Sequence, residues 1–168
     1  MKLHLGCGRN YKEGYINCDI SNELKIDRIV DLEKPLPFED DSISEIIIEH
    51  CIEHINNLYQ LLEEFQRICK DDAIINIKVP YFSSESAFST MTHVRFITYT
   101  TFDFLDKNNP VHYDAPKVDM KTIYKRLYWR KYFKLLELLF NKFPRVYQEI
   151  FAWWFPARVL YIKLKVSK

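Results

Sequence analysis

Lys2–Asp19 reads KLHLGCGRNYKEGYINCD, and the fold turns on how it is read. A short apolar strand over residues 2–5 (Leu3, Leu5) runs into Gly6-Cys7-Gly8. The chain reverses near Gly14 and enters a second apolar run, Tyr15–Cys18, which stops on Asp19. Glycine carries no side chain, so its backbone can approach a ligand closely. A carboxylate closing the next strand can accept two hydrogen bonds from a ribose diol. This pairing is the nucleotide-binding logic of an open α/β sheet, whose ligands sit outside the carboxyl ends of the strands. A lone G-x-G also fits an ordinary tight turn, so the rest of the chain has to decide. About ten residues join the two strands, fewer than a crossover helix needs, which predicts a first helix of one or two turns around Asn10–Glu13.

Working outward, Arg28–Leu32 (RIVDL) reads as a third strand that again reaches a carboxylate, Asp31. Pro35 and Pro37 exclude a helix over residues 34–41. Ile43–Glu49 is a strand with no helical period. Leu58, Leu61, Leu62, Phe65 and Ile68 then recur at three- and four-residue spacing, the apolar face of one helix, with Asn56 or Asn57 as its cap. Ala73–Val79 is a strand stopped by Pro80. Strands with a long helix between them indicate a mainly parallel sheet. Residues 81–92 read as a loop, Thr98–Leu105 as a short helix, and 106–117 as turns. Met120–Trp129 and Val159–Val166 alternate as strands, flanking a helical stretch over 132–155 that breaks at Pro144.

The chain has 168 residues, 48% hydrophobic and 28% charged, enough for one folded domain over 1–168. No apolar run approaches the ~20 residues that span a bilayer. The start reads as a strand rather than a signal peptide, and the four cysteines show no CxxC spacing. The expectation is a reduced, cytoplasmic chain. Residues 117–168 hold 13 Lys/Arg against 3 Asp/Glu, while residues 1–80 hold 9 against 16. A basic end on an acidic body suggests an anionic partner. The same end carries Trp153-Trp154-Phe155 with Phe140, Phe143 and Phe151. These rings read as core or a homodimer contact, or alternatively as an interfacial helix on a membrane. There is no specific nucleic-acid signal.

In order and spacing, Leu5-Gly6-Cys7-Gly8, Gly14-Tyr15-Ile16-Asn17-Cys18-Asp19-Ile20, Asp31-Leu32, Pro35-Leu36-Pro37-Phe38, Asp41-Ser42 and Ile52-Glu53-His54 resemble the small class I S-adenosylmethionine-dependent methyltransferases, the kind found among glycan and polysaccharide genes. The likeness covers about residues 2–80 and resumes faintly at Thr92–Phe96. It implies a three-layer, Rossmann-like α/β fold, with a mostly parallel seven-stranded sheet and an antiparallel last strand. It also implies S-adenosylmethionine as cofactor. Leu5, Gly6, Cys7 and Gly8 would wrap its methionine part, Asp19 would hold the ribose, and Ile20 would pack beside adenine. Asp31 would reach the adenine amino group, Leu32 would supply a backbone amide, and Glu49 and His50 would line the methyl-donor pocket. Asn10 replaces the third glycine of the full motif.

The implied activity is methyl transfer to an oxygen or nitrogen of a small-molecule or glycan-type acceptor. His93, beside Arg95 and Tyr99, is the candidate general base; His112 and Tyr113 are weaker ones. A non-catalytic nucleoside-binding subunit is the alternative from another class. His50-Cys51-Ile52-Glu53-His54 also matches H-x-x-E-H, a zinc-hydrolase pattern that needs both histidines on one helix. The strand over Ile43–Glu49 argues against that arrangement and for no metal ligands.

Overall fold

The computed structural model describes residues 1–109 and 118–168. Seven strands form one sheet: β1 (Lys2–Leu5), β2 (Ile16–Asp19), β3 (Arg28–Ile29), β4 (Ile43–Glu49), β5 (Cys69–Pro80), β6 (Met120–Tyr128) and β7 (Val159–Val166). Their order is β3-β2-β1-β4-β5-β7-β6. The first five run parallel, and β7 is antiparallel to both of its neighbours. This is the expected α/β class, including the closing hairpin of residues 120–129 and 159–166.

The register explains which face is buried. Leu3, Ile46, Ile75 and Leu164 stand side by side across four strands, and Leu5, Ile48, Ile77 and Ile162 form the next row. All eight are essentially inaccessible to solvent. Helix α1 (Leu58–Ile68) contributes Leu58, Leu61, Leu62, Phe65 and Ile68 to the same core, the five positions its periodicity marks. Asn57 caps it by accepting the Gln60 N–H, and Glu33 accepts the Asn56 and Asn57 N–H groups. At its other end Arg67 donates to Glu64, to Asp40 and to the Leu36 and Phe38 carbonyls, which fixes the Pro35–Phe38 segment.

The opposite face is polar. Lys2 pairs with Glu45, Asn76 donates to Glu45, and Tyr161 donates to Asn76. Among the described residues no helix joins β1 to β2, β2 to β3 or β3 to β4. The expected turns of helix around Asn10–Glu13 are therefore absent. Asn17 takes over their holding role. Fully buried, it accepts the Lys12 N–H at 2.8 Å and donates to the Lys12 and Tyr15 carbonyls. Its backbone N–H donates to Asp27, which holds that carboxyl below the usual range.

His4 lies against the same residue, its Nδ1 3.2 Å from Asn17 Oδ1. Burial pushes the His4 imidazole below the ordinary histidine value. Unfolded histidine titrates near ~6.5, so on acidification the unfolded chain takes up this proton first. The contribution is whole above that pH and is lost as pH falls below it toward the folded value. Between about pH 7.5 and pH 5.5, the melting temperature of wild type should therefore drop more than that of His4→Gln. Equal drops would remove His4 from the account.

Several local expectations are corrected. The third strand is only Arg28–Ile29, because Val30 turns in to the core and its N–H bonds the Asp19 carbonyl. Residues 81–92 include a four-residue helix, α2 (Glu85–Phe88), capped by Ser84. Thr98–Leu105 yields only a tight turn of helix at Asp103–Leu105. The stretch 132–155 divides into α3 (Lys134–Lys142) and a short α4 (Pro144–Val146) that widens into a π-type turn at Tyr147–Phe151. Pro144 begins the second piece because proline has no N–H for the first. Asn141 reaches the outer edge of the sheet: its Oδ1 accepts the Leu127 N–H and its Nδ2 donates to the Leu127 carbonyl. Ile123 bulges from the same strand.

Trp129, Phe140, Tyr147 and Tyr81 form the aromatic centre of this half. The core reading of the aromatic cluster holds for Phe140, which also packs on Phe151 and Phe155, and fails for Trp153 and Trp154, which are 67% and 80% exposed.

Candidate active site

The carboxyl ends of β1, β2 and β4 bring together the residues of the opening stretch. Gly6 and Gly8 both adopt left-handed backbone, with φ of +59° and +52°. Their reasons differ. A Cβ on Gly6 would stand 2.4 Å from Cys51 Sγ, so this glycine admits the protein's own side chain. Among the described residues, a Cβ on Gly8 would meet nothing within 4 Å, which leaves its backbone facing open space. Leu5 and Cys7 are buried, and the Cys7 N–H donates to the Cys18 carbonyl, tying the turn to β2.

Asp19 sits across from that turn. Its Oδ2 accepts the Gly8 N–H at 2.8 Å and its Oδ1 accepts the Ser21 N–H at 3.1 Å. Each oxygen retains a lone pair, since a carboxylate accepts about four bonds. Ile20 beside it is 67% exposed, an apolar wall with nothing of its own to cover. Asp31 is more engaged: it accepts the Glu33 N–H and pairs with Lys34 at 3.1 Å. The backbone bond, then Lys34, hold its carboxyl below the ordinary range. Leu32 is buried.

At the end of β4, Asn10 donates to Glu49 at 3.4 Å, so the residue in place of the third glycine ties the loop to this strand. His50 takes φ +51°, a conformation costly for a residue with a Cβ and concentrated at functional sites. Its N–H is held by the Lys78 carbonyl at 2.7 Å. Ile52–His54 follows as one tight turn, so His50 and His54 do not share a helix and the H-x-x-E-H reading loses its geometry. Burial pushes the Cys18 and Cys51 thiols up to about 12, so neither is a thiolate nucleophile at neutral pH.

A cavity of about 720 Å³ opens from His50 along Lys78, Ser86, Tyr128, Trp129 and Arg158. A second, of about 510 Å³, shares Ser86 and Arg158 and continues to Arg130, Phe133, Trp154 and Phe155. Reading the sequence did not find Lys78, Ser86 or Arg158. They lie on separate elements, and only the antiparallel β7 brings Arg158 to the end of β5. His93 lines neither cavity. Its side chain is 7% exposed, with Nδ1 3.0 Å from the Ala87 carbonyl. Arg95 is likewise turned inward, onto the Ile55 and Asn56 carbonyls. His112 and Tyr113 lie outside the described residues.

Residues 3–77 match the family profile described as a methyltransferase domain. Among curated proteins, none matches the sequence. Solved structures resemble the whole chain. A SAM-dependent methyltransferase from Archaeoglobus fulgidus aligns at TM-score 0.66 and 18% identity, over 98% of this chain and 85% of its own. The plantazolicin methyltransferase BpumL, in complex with SAH, aligns at TM-score 0.59 and 18% identity, over 99% of this chain and 76% of its own. The [4+2]-cyclase SpnF aligns at TM-score 0.62 and 11% identity, over 99% of this chain and 75% of its own. The fold therefore supports more than one chemistry, and the site has to argue for one. Residues 3–77 are thus similar to a methyltransferase domain, and the chain as a whole shares the fold of the S-adenosylmethionine-dependent methyltransferase structures it aligns with.

Proposed function

We propose that the protein transfers a methyl group from S-adenosylmethionine to an oxygen or nitrogen of an anionic small-molecule or glycan-type acceptor. The observation that carries this reading is Asp19 with spare acceptor capacity, facing the bare backbone of Gly8 at the strand ends. The residues fit the cofactor. Leu5, Gly6, Cys7 and Gly8 shape the turn for its methionine part, Asp19 takes the ribose diol, and Ile20 covers adenine. Asp31 and the Leu32 amide serve the adenine edge, and Glu49 and His50 border the donor end. When bound, the cofactor supplies an electrophilic methyl on sulfonium; the protein supplies binding, orientation and exclusion of water. His93 is inward-facing, which favours alignment of donor and acceptor over a strong base as the main contribution. Lys78, Arg158 and Arg130 along the cavities favour a negatively charged acceptor. Calorimetry with S-adenosylhomocysteine is the test: one site per chain is expected, and an absence of binding would end the reading.

The second cavity opens beside an exposed apolar surface. Leu135, Leu138, Leu139, Phe143, Ile150, Trp153 and Trp154 all stand more than half exposed. Lys134, Lys142 and Arg145 are exposed on the same segment. Apolar and basic side chains together suit an anionic membrane surface, and we propose peripheral contact there. The protein should float with anionic vesicles at low salt. Replacing Trp153 and Trp154 by serine should weaken that partition by about tenfold or more. A concentration-dependent dimer with no vesicle binding would assign the face to a second copy instead.

A further inference from the structure

Glu53, His54 and His93 meet beneath the end of β4, each offering one ligand atom within 4.8 Å of the other two. We infer that these three side chains form a binding site for a divalent transition-metal ion. Glu53 is 2% exposed, and among the described residues its Oε2 has no hydrogen-bond partner. A buried carboxylate left in that state is costly and calls for a cation.

Two features favour a metal over a proton. First, both imidazoles are already oriented through Nδ1: His54 onto the Thr92 carbonyl at 3.2 Å and His93 onto the Ala87 carbonyl at 3.0 Å. A carbonyl only accepts, so each Nδ1 carries a proton, and in the neutral ring each Nε2 keeps its lone pair for a metal. A backbone carbonyl on one ring nitrogen is how metal-ligating histidines are held. Second, His93 Nε2 stands 3.9 Å from Glu53 Oε1, too long for a charge-assisted hydrogen bond. The two rings also lie only 4.6 Å apart, where two imidazolium charges would repel. Ligands of a tetrahedral zinc ion are roughly 3.4 Å from each other, given Zn–N and Zn–O bonds of about 2.1 Å, so the triad has to contract by about 1 Å or less on average.

Two nitrogens and one carboxylate form a set that selects zinc-, cobalt- or iron-type ions over magnesium, and it leaves coordination positions open. No local motif marks it, because His93 is 39 residues beyond His54 and arrives from the segment after β5. It is not the H-x-x-E-H set: His50 belongs to the strand end, although its Nδ1 is 3.8 Å from the same Glu53 oxygen. The site does not depend on the methyl-transfer reading, and its test uses no cofactor.

The full chain, stripped with a chelator, should take up one equivalent of Zn²⁺ by calorimetry and gain melting temperature with it. Co²⁺ in the same site should show visible d–d absorption with one-to-one saturation, and Mg²⁺ should do neither. His54→Ala and His93→Ala should each weaken Zn²⁺ binding by at least tenfold. Glu53→Gln, which keeps the shape of the buried side chain, should do the same. His54 is half-buried, so its variant reports on the ligand even if a change at Glu53 impairs folding. A wild-type chain that takes up no Zn²⁺ overturns the site. So does uptake that neither histidine substitution alters.

Discussion

Asp19→Ala is expected to weaken binding of S-adenosylhomocysteine by about 1.5–3 kcal/mol, roughly 10- to 150-fold, while the fold persists. The estimate follows from the charge-assisted pair that a ribose diol would make with a carboxylate. Asp19 also accepts the Gly8 and Ser21 N–H groups, so its loss frees the glycine turn. Asp19→Asn separates the two contributions. It keeps one acceptor oxygen for the turn but removes the charge, and its affinity should fall between wild type and Asp19→Ala. Calorimetry at one ionic strength, with the far-ultraviolet dichroism of each variant, checks this. Wild-type affinity in Asp19→Ala would place the nucleoside elsewhere.

The largest expected effect on stability lies at Asn17. Replacing it by leucine leaves the His4 ring, the Lys12 N–H and the Tyr15 carbonyl without their Asn17 partner, and leaves the Lys12 carbonyl with only the long Tyr15 N–H bond at 3.4 Å, all near a position with no solvent access. Unmet buried polar groups cost about 1–3 kcal/mol each, and some of these will find water, so a net loss of about 3 kcal/mol is expected. For a chain of this size that lowers the melting temperature by about 6–12 °C. Thermal melts of Asn17→Leu and Asn17→Ala measure it. A shift of less than about 2 °C would mean the loop is held by other contacts.

What the sequence made legible followed from period and punctuation. Four isoleucines in seven residues gave β4, and the Leu58–Ile68 spacing gave α1 with its buried face intact. The motif order in residues 2–80 gave the fold class, which the structural likeness extends over the whole chain. Of the residues proposed for the cofactor, Leu5, Asp19 and Glu49 end β1, β2 and β4, whereas Asp31 lies beyond β3 and is tied to Glu33 and Lys34. What was hidden depends on contacts between distant segments. Gly6 looks like a ligand-side glycine, yet Cys51 is what requires it. Asn17 reads as an ordinary strand residue, yet it replaces a helix. Lys78, Ser86 and Arg158 reach one cavity only because β7 runs back along β5. His93 looked like a free base because nothing local shows the Ala87 carbonyl or Glu53.

The outer border of the sheet has a further consequence. A strand left open along its side is a template on which copies of a protein stack into fibrils. Here the amide of Asn141 plugs the Leu127 position, the kink at Ile123 breaks the straight run, and Lys121 adds charge. Strand-by-strand polymerisation is thereby discouraged, and any clumping of this molecule should begin from the greasy helical segment rather than from its β-scaffold.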